Sequence, residues 1–281
     1  MKRRITEYIF VAIAATATAV VAASLIAILW SVAAKGLPSL KWSMLTQVPK
    51  GGYYLGGGGG IANAIVGSIY LGLGATALAL LVSLPTCLYL RVYLGRNPLA
   101  ALVRLSLDVL WGVPSIVFGA FGFTIMVFLG LRASLLAGII TVALFELPIM
   151  IRAMDEVVKL VPAELEEAAH ALGATRFETA TRVVLRQALP GLVTGLLLAF
   201  GRGIGDAASV LFTAGFTDNI PHSLSDPAAT LPLSIFFQLG TPFEEVHRRA
   251  YASALILTIL VLLASALARI LAARFAKHTW R

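Results

Sequence analysis

Charged residues are scarce in this chain of 281 residues, where Asp, Glu, Lys and Arg together make up only 13%. Soluble globular proteins carry about a quarter charged residues and are about half apolar. Here 59% of the residues are hydrophobic and the mean hydropathy is +0.89. This composition excludes a disordered chain, which needs low hydrophobicity, and an ordinary soluble domain. It indicates a membrane protein.

Cysteine and the familiar catalytic motifs are nearly or wholly missing. Cys87 is the single cysteine, which excludes a disulfide within the chain. The four histidines lack the spacing of metal ligands. The sequence contains no GxxxxGK[ST] phosphate-binding loop and no HExxH or GxSxG motif. We therefore expect no catalytic residue, no metal site and no cofactor, and any ATPase would be another chain.

Long apolar runs replace the missing charge. A helix needs about 20 apolar residues to cross a bilayer. Six stretches meet this requirement, at about residues 8–34, 62–90, 108–132, 133–151, 188–216 and 250–268. The predicted fold is an all-α membrane protein with six transmembrane helices in a single domain, 1–281.

The distribution of basic residues predicts the orientation. Lys and Arg accumulate in short cytoplasmic loops. With the N-terminus inside, 15 of the 22 basic residues fall in inner segments and 6 in outer ones. We expect both termini in the cytoplasm, an inner loop at 153–187, and extracytoplasmic loops at 35–61 and 217–247. The net charge of +8 then reflects contact with lipid, so nucleic acid is not an expected partner.

The inner loop predicts a helix, a tight glycine turn and a second helix. Pro162 is suited to a helix start, and residues 163–172 favour a helix with acidic residues near its beginning. Gly173 can adopt the left-handed conformation that ends a helix. Thr175 and Glu178 have the spacing of a capping box that opens the next helix. On these grounds alone, a solvated linker remains as good an interpretation as a docking surface.

The same loop resembles the EAA loop of ABC-importer permeases. The matching residues are Glu167, Ala168 and Ala169, then Gly173, then Val183–Leu185. Arg186 stands where that motif has proline, which affects only the local bend before the next helix. The resemblance implies that this loop couples the permease to an ATPase subunit.

Further motifs resemble the A-type membrane permeases of the phosphate-specific (Pst) ABC importer family. They are GGGIANAIVGSIYL from residue 58, VPSIVFG from 113, the stretch from LPIMIRAMDEVVKLVP to VVL at 147–185, and GRGIGDAASVLFTAG from 201. The resemblance implies a type I importer fold in the inner (plasma) membrane. It also implies a sister permease subunit, cytoplasmic ATP-binding subunits and an extracytoplasmic phosphate-binding protein.

Arg202 and Asp206 are charged residues within the fifth predicted span. Inserting an arginine at the bilayer centre costs about 2.5–3.5 kcal/mol, and two residues four apart on a helix lie within reach of each other. They therefore form either a structural ion pair or a substrate pathway in which Arg202 attracts an anion and Asp206 orients it. The resemblance favours the pathway, although that family typically has Glu and Pro where this chain has Asp206 and Ser209.

Three other features carry weaker predictions. Glu146, within the fourth span, is expected to pair with an arginine such as Arg202 rather than to carry a proton. The five glycines at 56–60 are expected to form a flexible connection rather than a phosphate cradle. The segment LPLSIFFQL at 231–239 is predicted to be a short surface helix.

The leading hypothesis is a permease subunit of an ATP-driven phosphate importer. A permease for another oxyanion, such as molybdate or sulfate, remains an alternative. A stand-alone secondary transporter is less favoured, because inverted repeats are not evident and the structured loop would have no role.

Overall fold

A computed structural model describes residues 2–95 and 97–275. In this part of the chain the structure is helical, and the β-structure is limited to one isolated bridge between Pro49 and Gly59. The helices are α1 (Lys2–Gly36), α2 (Trp42–Thr46), α3 (Ala62–Tyr89), α4 (Pro98–Gly112), α5 (Ser115–Phe128), α6 (Leu135–Lys159), α7 (Ala163–Ala171), α8 (Arg176–Glu178), α9 (Leu185–Ile204), α10 (Leu231–Leu239) and α11 (Glu244–Phe275). The all-α prediction is confirmed.

Five of the described helices are long and apolar enough to cross a membrane, namely those that contain α1, α3, α6, α9 and α11. A sixth span results if α4 and α5 are taken together, although they meet at a bend of 98°. The span predicted at about 108–132 is therefore not one continuous helix. The break lies at Pro114, because a proline disfavours helical backbone in the residue before it, and Val113 is extended.

The bounds of other spans also differ from those predicted, and the differences in α6 and α9 bear on the site. Helix α6 continues to Lys159 instead of ending near residue 151. Helix α9 ends at Ile204, so residues 205–216 lie outside it. The hydrophobic run in the sequence is longer than the helix, because apolar composition alone does not distinguish a spanning helix from buried turns that follow it.

The core lies where α3, α6 and α9 pack together. Its buried residues include Ala75 and Ala79 on α3, Val142 and Met150 on α6, and Ala199 on α9. Small residues allow the close approach of helices in a membrane. A Cβ atom at Gly195 would already lie 3.3 Å from the Cβ of Ala153 on α6, so this glycine allows α9 to pack closely against α6.

Helix α1 lies at the edge of the molecule and packs along α11. Its apolar stretch is wholly unburied within this chain. The close contact lies near its end, where a Cβ at Gly36 would be 2.7 Å from the carbonyl oxygen of Tyr251. The rest of α1 is therefore available to lipid or to another membrane subunit.

The glycine-rich segment folds around a single side chain rather than forming a flexible connection. Arg249 on α11 donates hydrogen bonds to the carbonyls of Gly57 at 2.6 Å and of Tyr53 and Gly56 at 3.2 Å. Its guanidinium also lies 4.9 Å from the centre of the Tyr53 ring. Burial raises the pKa of Tyr53 to about 12 in spite of this nearby positive charge. The segment is thus an ordered loop whose carbonyl groups point at a cation.

Helix α10 has the predicted bounds, Leu231–Leu239, but it is more than a surface helix. Leu231, Leu233 and Gln238 are buried, and the Oγ of Ser68 on α3 accepts a hydrogen bond of 2.7 Å from the amide of Leu231. The remaining face carries exposed Phe236 and Leu239. This helix therefore belongs to the packed end of the bundle.

Candidate anion pathway and loop surface

Arg202 lies in the last turn of α9 with its side chain exposed from this chain. It makes neither a hydrogen bond nor an ion pair with any residue of 2–95 or 97–275. Its guanidinium carbon lies 5.5 Å from the centre of the Phe145 ring on α6. Phe145 is buried, and its ring packs edge-on against Phe118 of α5 at 5.7 Å. The arginine is therefore supported by an aromatic face, and its N–H donors remain available.

Asp206 lies beyond the end of α9 and does not pair with Arg202. Its carboxylate accepts a hydrogen bond of 2.7 Å from the Ser115 hydroxyl and another of 2.7 Å from the Ser209 amide. The alternative interpretation, a structural ion pair within one helix, is not what the structure forms, because the helix ends at Ile204 and the spacing of four no longer places the two side chains on one face. Asp206 instead stabilises the turn that follows α9.

Ser115 and Phe118 were not predicted as site residues. Both belong to the VPSIVFG motif, which begins at the break between α4 and α5. In the same motif, a Cβ at Gly119 would lie 2.8 Å from the carbonyl oxygen of Ala208. The motif therefore holds the Asp206 turn through Ser115 and supports the Phe145 ring through Phe118. The motif was visible in the sequence, but its neighbours in space were not.

Glu146 is fully buried in the middle of α6 and is not paired with an arginine, contrary to expectation. Its Oε1 accepts a hydrogen bond of 3.3 Å from the Thr76 hydroxyl on α3, and its Oε2 has no partner in the part of the chain that the structure describes. The carboxyl group lies directly against Gly203, where a Cβ would overlap Oε1. Glu146 thus joins α3, α6 and α9 at the residue next to Arg202.

The chemistry of this region favours an anion. A guanidinium offers five N–H donors in a fixed planar arrangement that suits the oxygens of phosphate or carboxylate. Arg202 combines this geometry with the absence of a carboxylate partner within the described residues, so its charge is not neutralised inside the chain. Among the same residues, no group of three His, Cys, Asp or Glu side chains could hold a metal ion.

The predicted helix–glycine–helix loop is confirmed. Gly173 follows α7 with φ +84°, the left-handed region that favours glycine. The Glu178 amide donates to the Thr175 hydroxyl at 3.2 Å, and the Thr175 amide donates to the Glu178 carboxylate at 3.1 Å. This capping box opens α8, which continues through the π-helical segment Thr179–Val184 into α9. We refer to residues 160–178 as the α7 hairpin.

The outer surface of the α7 hairpin combines small, acidic and large apolar residues. Glu167 and Ala168 are exposed, and Ala169 is half-buried. Leu172 is 90% exposed and Leu160 is 82% exposed. Apolar side chains this far exposed on a structured hairpin mark a surface that contacts another protein or the membrane.

Ion pairs connect α4 to α6 at the end of the bundle near the α7 hairpin. Arg104 on α4 donates to both oxygens of buried Asp155 on α6, at 2.8 and 3.1 Å. Arg152 on α6 pairs with Asp108 on α4 at 2.5 Å. These pairs hold the first half of the bent span against α6, and they give Asp108 a structural partner.

The comparisons with known proteins agree with this architecture. A family model described as "Binding-protein-dependent transport system inner membrane component" matches residues 83–281. The chain belongs to this family. A relative from Yersinia pestis, "Phosphate transport system permease protein PstA", is 37% identical over 250 residues, which cover 89% of this chain and 84% of the relative. "Phosphate transport system permease protein PstA 1" from Mycobacterium tuberculosis (strain CDC 1551 / Oshkosh) is 33% identical, covering 98% of this chain and 92% of the relative.

A solved structure shares the fold at lower identity. A chain of the MetNI methionine ABC transporter, in a crystal form described as inward facing, superposes on this permease with a TM-score of 0.63 at 20% identity. The superposition covers 76% of this permease and 95% of that chain. The resemblance to the Pst permeases and the type I ABC-importer fold are therefore confirmed, and the protein is a multi-pass membrane permease.

Proposed function

We propose that this permease is a transmembrane subunit of an ATP-driven phosphate importer in the inner membrane. The observation that carries the proposal is Arg202, a guanidinium without an acidic partner among the described residues, supported by Phe145 at the end of a membrane helix. A buried or intramembrane arginine is costly and marks an ion pathway more often than not. The PstA names of the relatives identify phosphate as the anion.

Asp206 contributes to the pathway indirectly. It holds the turn after α9 through Ser115 and Ser209, and so it fixes the position at which α9, with Arg202, comes to an end. Molybdate or sulfate permeases would use the same guanidinium chemistry, but the relatives give no support to either anion. A stand-alone secondary transporter is disfavoured by membership of a binding-protein-dependent family.

The α7 hairpin is the proposed docking surface for a cytoplasmic ATP-binding subunit, which would hydrolyse ATP. Glu167, Ala168 and Ala169 lie on the helix that would enter a groove of that subunit, and small residues allow close approach there. Gly173 gives the hairpin its turn. This assignment places the loop 153–187 and both termini in the cytoplasm.

The remaining partners follow from the same assignment. Segments 35–61 and 217–247 would face an extracytoplasmic phosphate-binding protein. A sister permease would complete the pathway, since Arg202 and the exposed length of α1 face away from this chain's own core. The lipid bilayer surrounds the apolar helices.

The test is anion uptake by the complex reconstituted in vesicles with its ATP-binding subunits, sister permease and binding protein. We expect ATP-dependent uptake of labelled phosphate, with arsenate competing and with sulfate and molybdate competing weakly. Uptake of sulfate or molybdate in preference to phosphate would contradict the substrate. Phosphate uptake that persists without the ATP-binding subunits would contradict the mechanism.

A further inference from the structure

Arg91 connects the α7 hairpin to a helix that is distant in sequence. It lies in the π-helical segment Leu90–Leu94, which extends α3. Its Nε and Nη2 atoms lie 2.9 and 2.7 Å from Glu166 Oε1 on α7. Its Nη2 also donates to the carbonyl of Val161 at 3.0 Å, just before α7 begins. One guanidinium therefore holds both the helix and its leading turn.

This ion pair joins the hairpin to another helix, unlike the pair formed by Arg182 and Glu178. The Arg91 and Glu166 side chains are 23% and 17% exposed, so solvent screens their interaction less than that of a surface pair. Arg182 and Glu178, by contrast, lie four residues apart on one helical segment at 3.4 Å and are more exposed. A pair within one segment cannot transmit movement between helices. Arg91 and Glu166 are 75 residues apart.

Glu166 faces inward, towards α3, while Glu167 and Ala168 face outward. The hairpin thus has two separate faces, one for a partner and one for the membrane helices. The π-helical geometry at Arg91 is a second unusual feature, since single π turns within helices occur frequently at functional sites.

Helix α3 also contacts Glu146, which lies beside the proposed anion pathway. Thr76 on α3 donates to the carboxyl of Glu146, and that carboxyl lies against Gly203, the neighbour of Arg202. A single helix therefore contacts the inner face of the hairpin through Arg91 and the support of Arg202 through Thr76.

The geometry points to Arg91 as a positioning residue that transmits displacement of the α7 hairpin to α3, so that ATP hydrolysis and anion passage stay coupled. The inference rests on the proposed function and adds a residue to it. Without Arg91 the outward face of α7 is unchanged and still binds the ATP-binding subunit. The displacement of α7, however, no longer reaches α3 through a direct bond.

The experiment measures phosphate imported per ATP hydrolysed by the reconstituted complex, with wild type and Arg91→Gln compared at equal amounts of assembled complex. Single substitutions along a coupling network typically change coupling severalfold, and we expect this ratio to fall about fivefold with the basal ATPase rate retained. Arg91→Lys should lie between the two, since an ammonium cannot hold Glu166 and Val161 in one plane. The charge-swapped pair Arg91→Glu with Glu166→Arg should recover part of the ratio.

The matched control is Arg248→Gln, which removes an exposed arginine paired with Glu244 within α11 and should leave the ratio unchanged. If uptake and ATP hydrolysis fall in proportion in Arg91→Gln, Arg91 is only structural and the inference is overturned. An unchanged ratio overturns it as well.

A separate result tests the proposed function alone. If the wild-type complex hydrolyses ATP but imports no phosphate, the substrate assignment fails while Arg91 stays testable. Stimulation of ATP hydrolysis by the binding protein then replaces uptake as the readout. We expect Arg91→Gln to reduce that stimulation about fivefold, and full stimulation would overturn the inference.

Discussion

Gly203→Ala tests the close packing behind Arg202. A Cβ at this position would overlap Glu146 Oε1 and lie 2.8 Å from its Cδ. Overpacking of this kind costs about 1–3 kcal/mol, which exceeds the roughly 0.5–1 kcal/mol that alanine gains over glycine inside a helix. Either the Glu146 side chain or the end of α9 must move, and both support the position of Arg202. We expect uptake per assembled complex to fall about tenfold, equivalent to about 1.4 kcal/mol, with a lower unfolding temperature.

Gly201→Ala is the matched control, because a Cβ there meets no atom within 4 Å. Gly201 lies on the same helix, two residues before Gly203. Its change to alanine should leave uptake and the unfolding temperature near wild type. The double change Gly203→Ala with Glu146→Ala removes the overlapping carboxyl group and should recover part of the lost uptake. If Gly203→Ala behaves like Gly201→Ala, then α6 and α9 do not approach each other as the structure has them.

Two further predictions concern the α7 hairpin and the orientation of the chain. Gly173→Val should abolish transport while membrane insertion is retained, because a β-branched residue resists φ +84°. Gly173→Asn should keep partial uptake. Wild-type uptake by the valine variant at an equal membrane level would rule out the docking role of this turn. In a Cys87→Ala background, a cysteine replacing exposed Ser223 should react with an impermeant thiol reagent in intact cells. A cysteine replacing exposed Arg176 should react only after the cells are permeabilised. The opposite labelling pattern would reverse the proposed topology.

Local rules predicted the α7 hairpin well. Its acidic first turn, its left-handed Gly173 and the Thr175–Glu178 capping box involve residues within a few positions of one another. Such features follow from backbone preferences and short-range hydrogen bonds, so the sequence is sufficient to identify them.

The contacts around Arg202 and Asp206 were predicted less well, because they join residues far apart in the chain. Arg202 was singled out from the sequence, but the Phe145 ring beside it and the Ser115 partner of Asp206 depend on how three helices pack. The alternative of an Arg202–Asp206 ion pair assumed that α9 continues past residue 206, and hydrophobicity carried no signal for its end at Ile204. The glycine run was misjudged for the same reason, since Arg249 approaches it from a helix almost 200 residues later.

The uptake of phosphate by the Arg202→Gln, Asp206→Asn double variant tests the central claim most directly, namely that Arg202 serves the anion and not Asp206. Arg202→Lys should be severely impaired, because an ammonium lacks the planar donors of a guanidinium, and Arg202→Gln should be more so. Since Asp206 is held by Ser115 and Ser209, removing its charge should not compensate for the lost arginine. We predict that the double variant assembles with its ATP-binding subunits, hydrolyses ATP and still fails to import phosphate. Uptake restored to near the wild-type rate would show that Arg202 only balances Asp206, and would contradict the account.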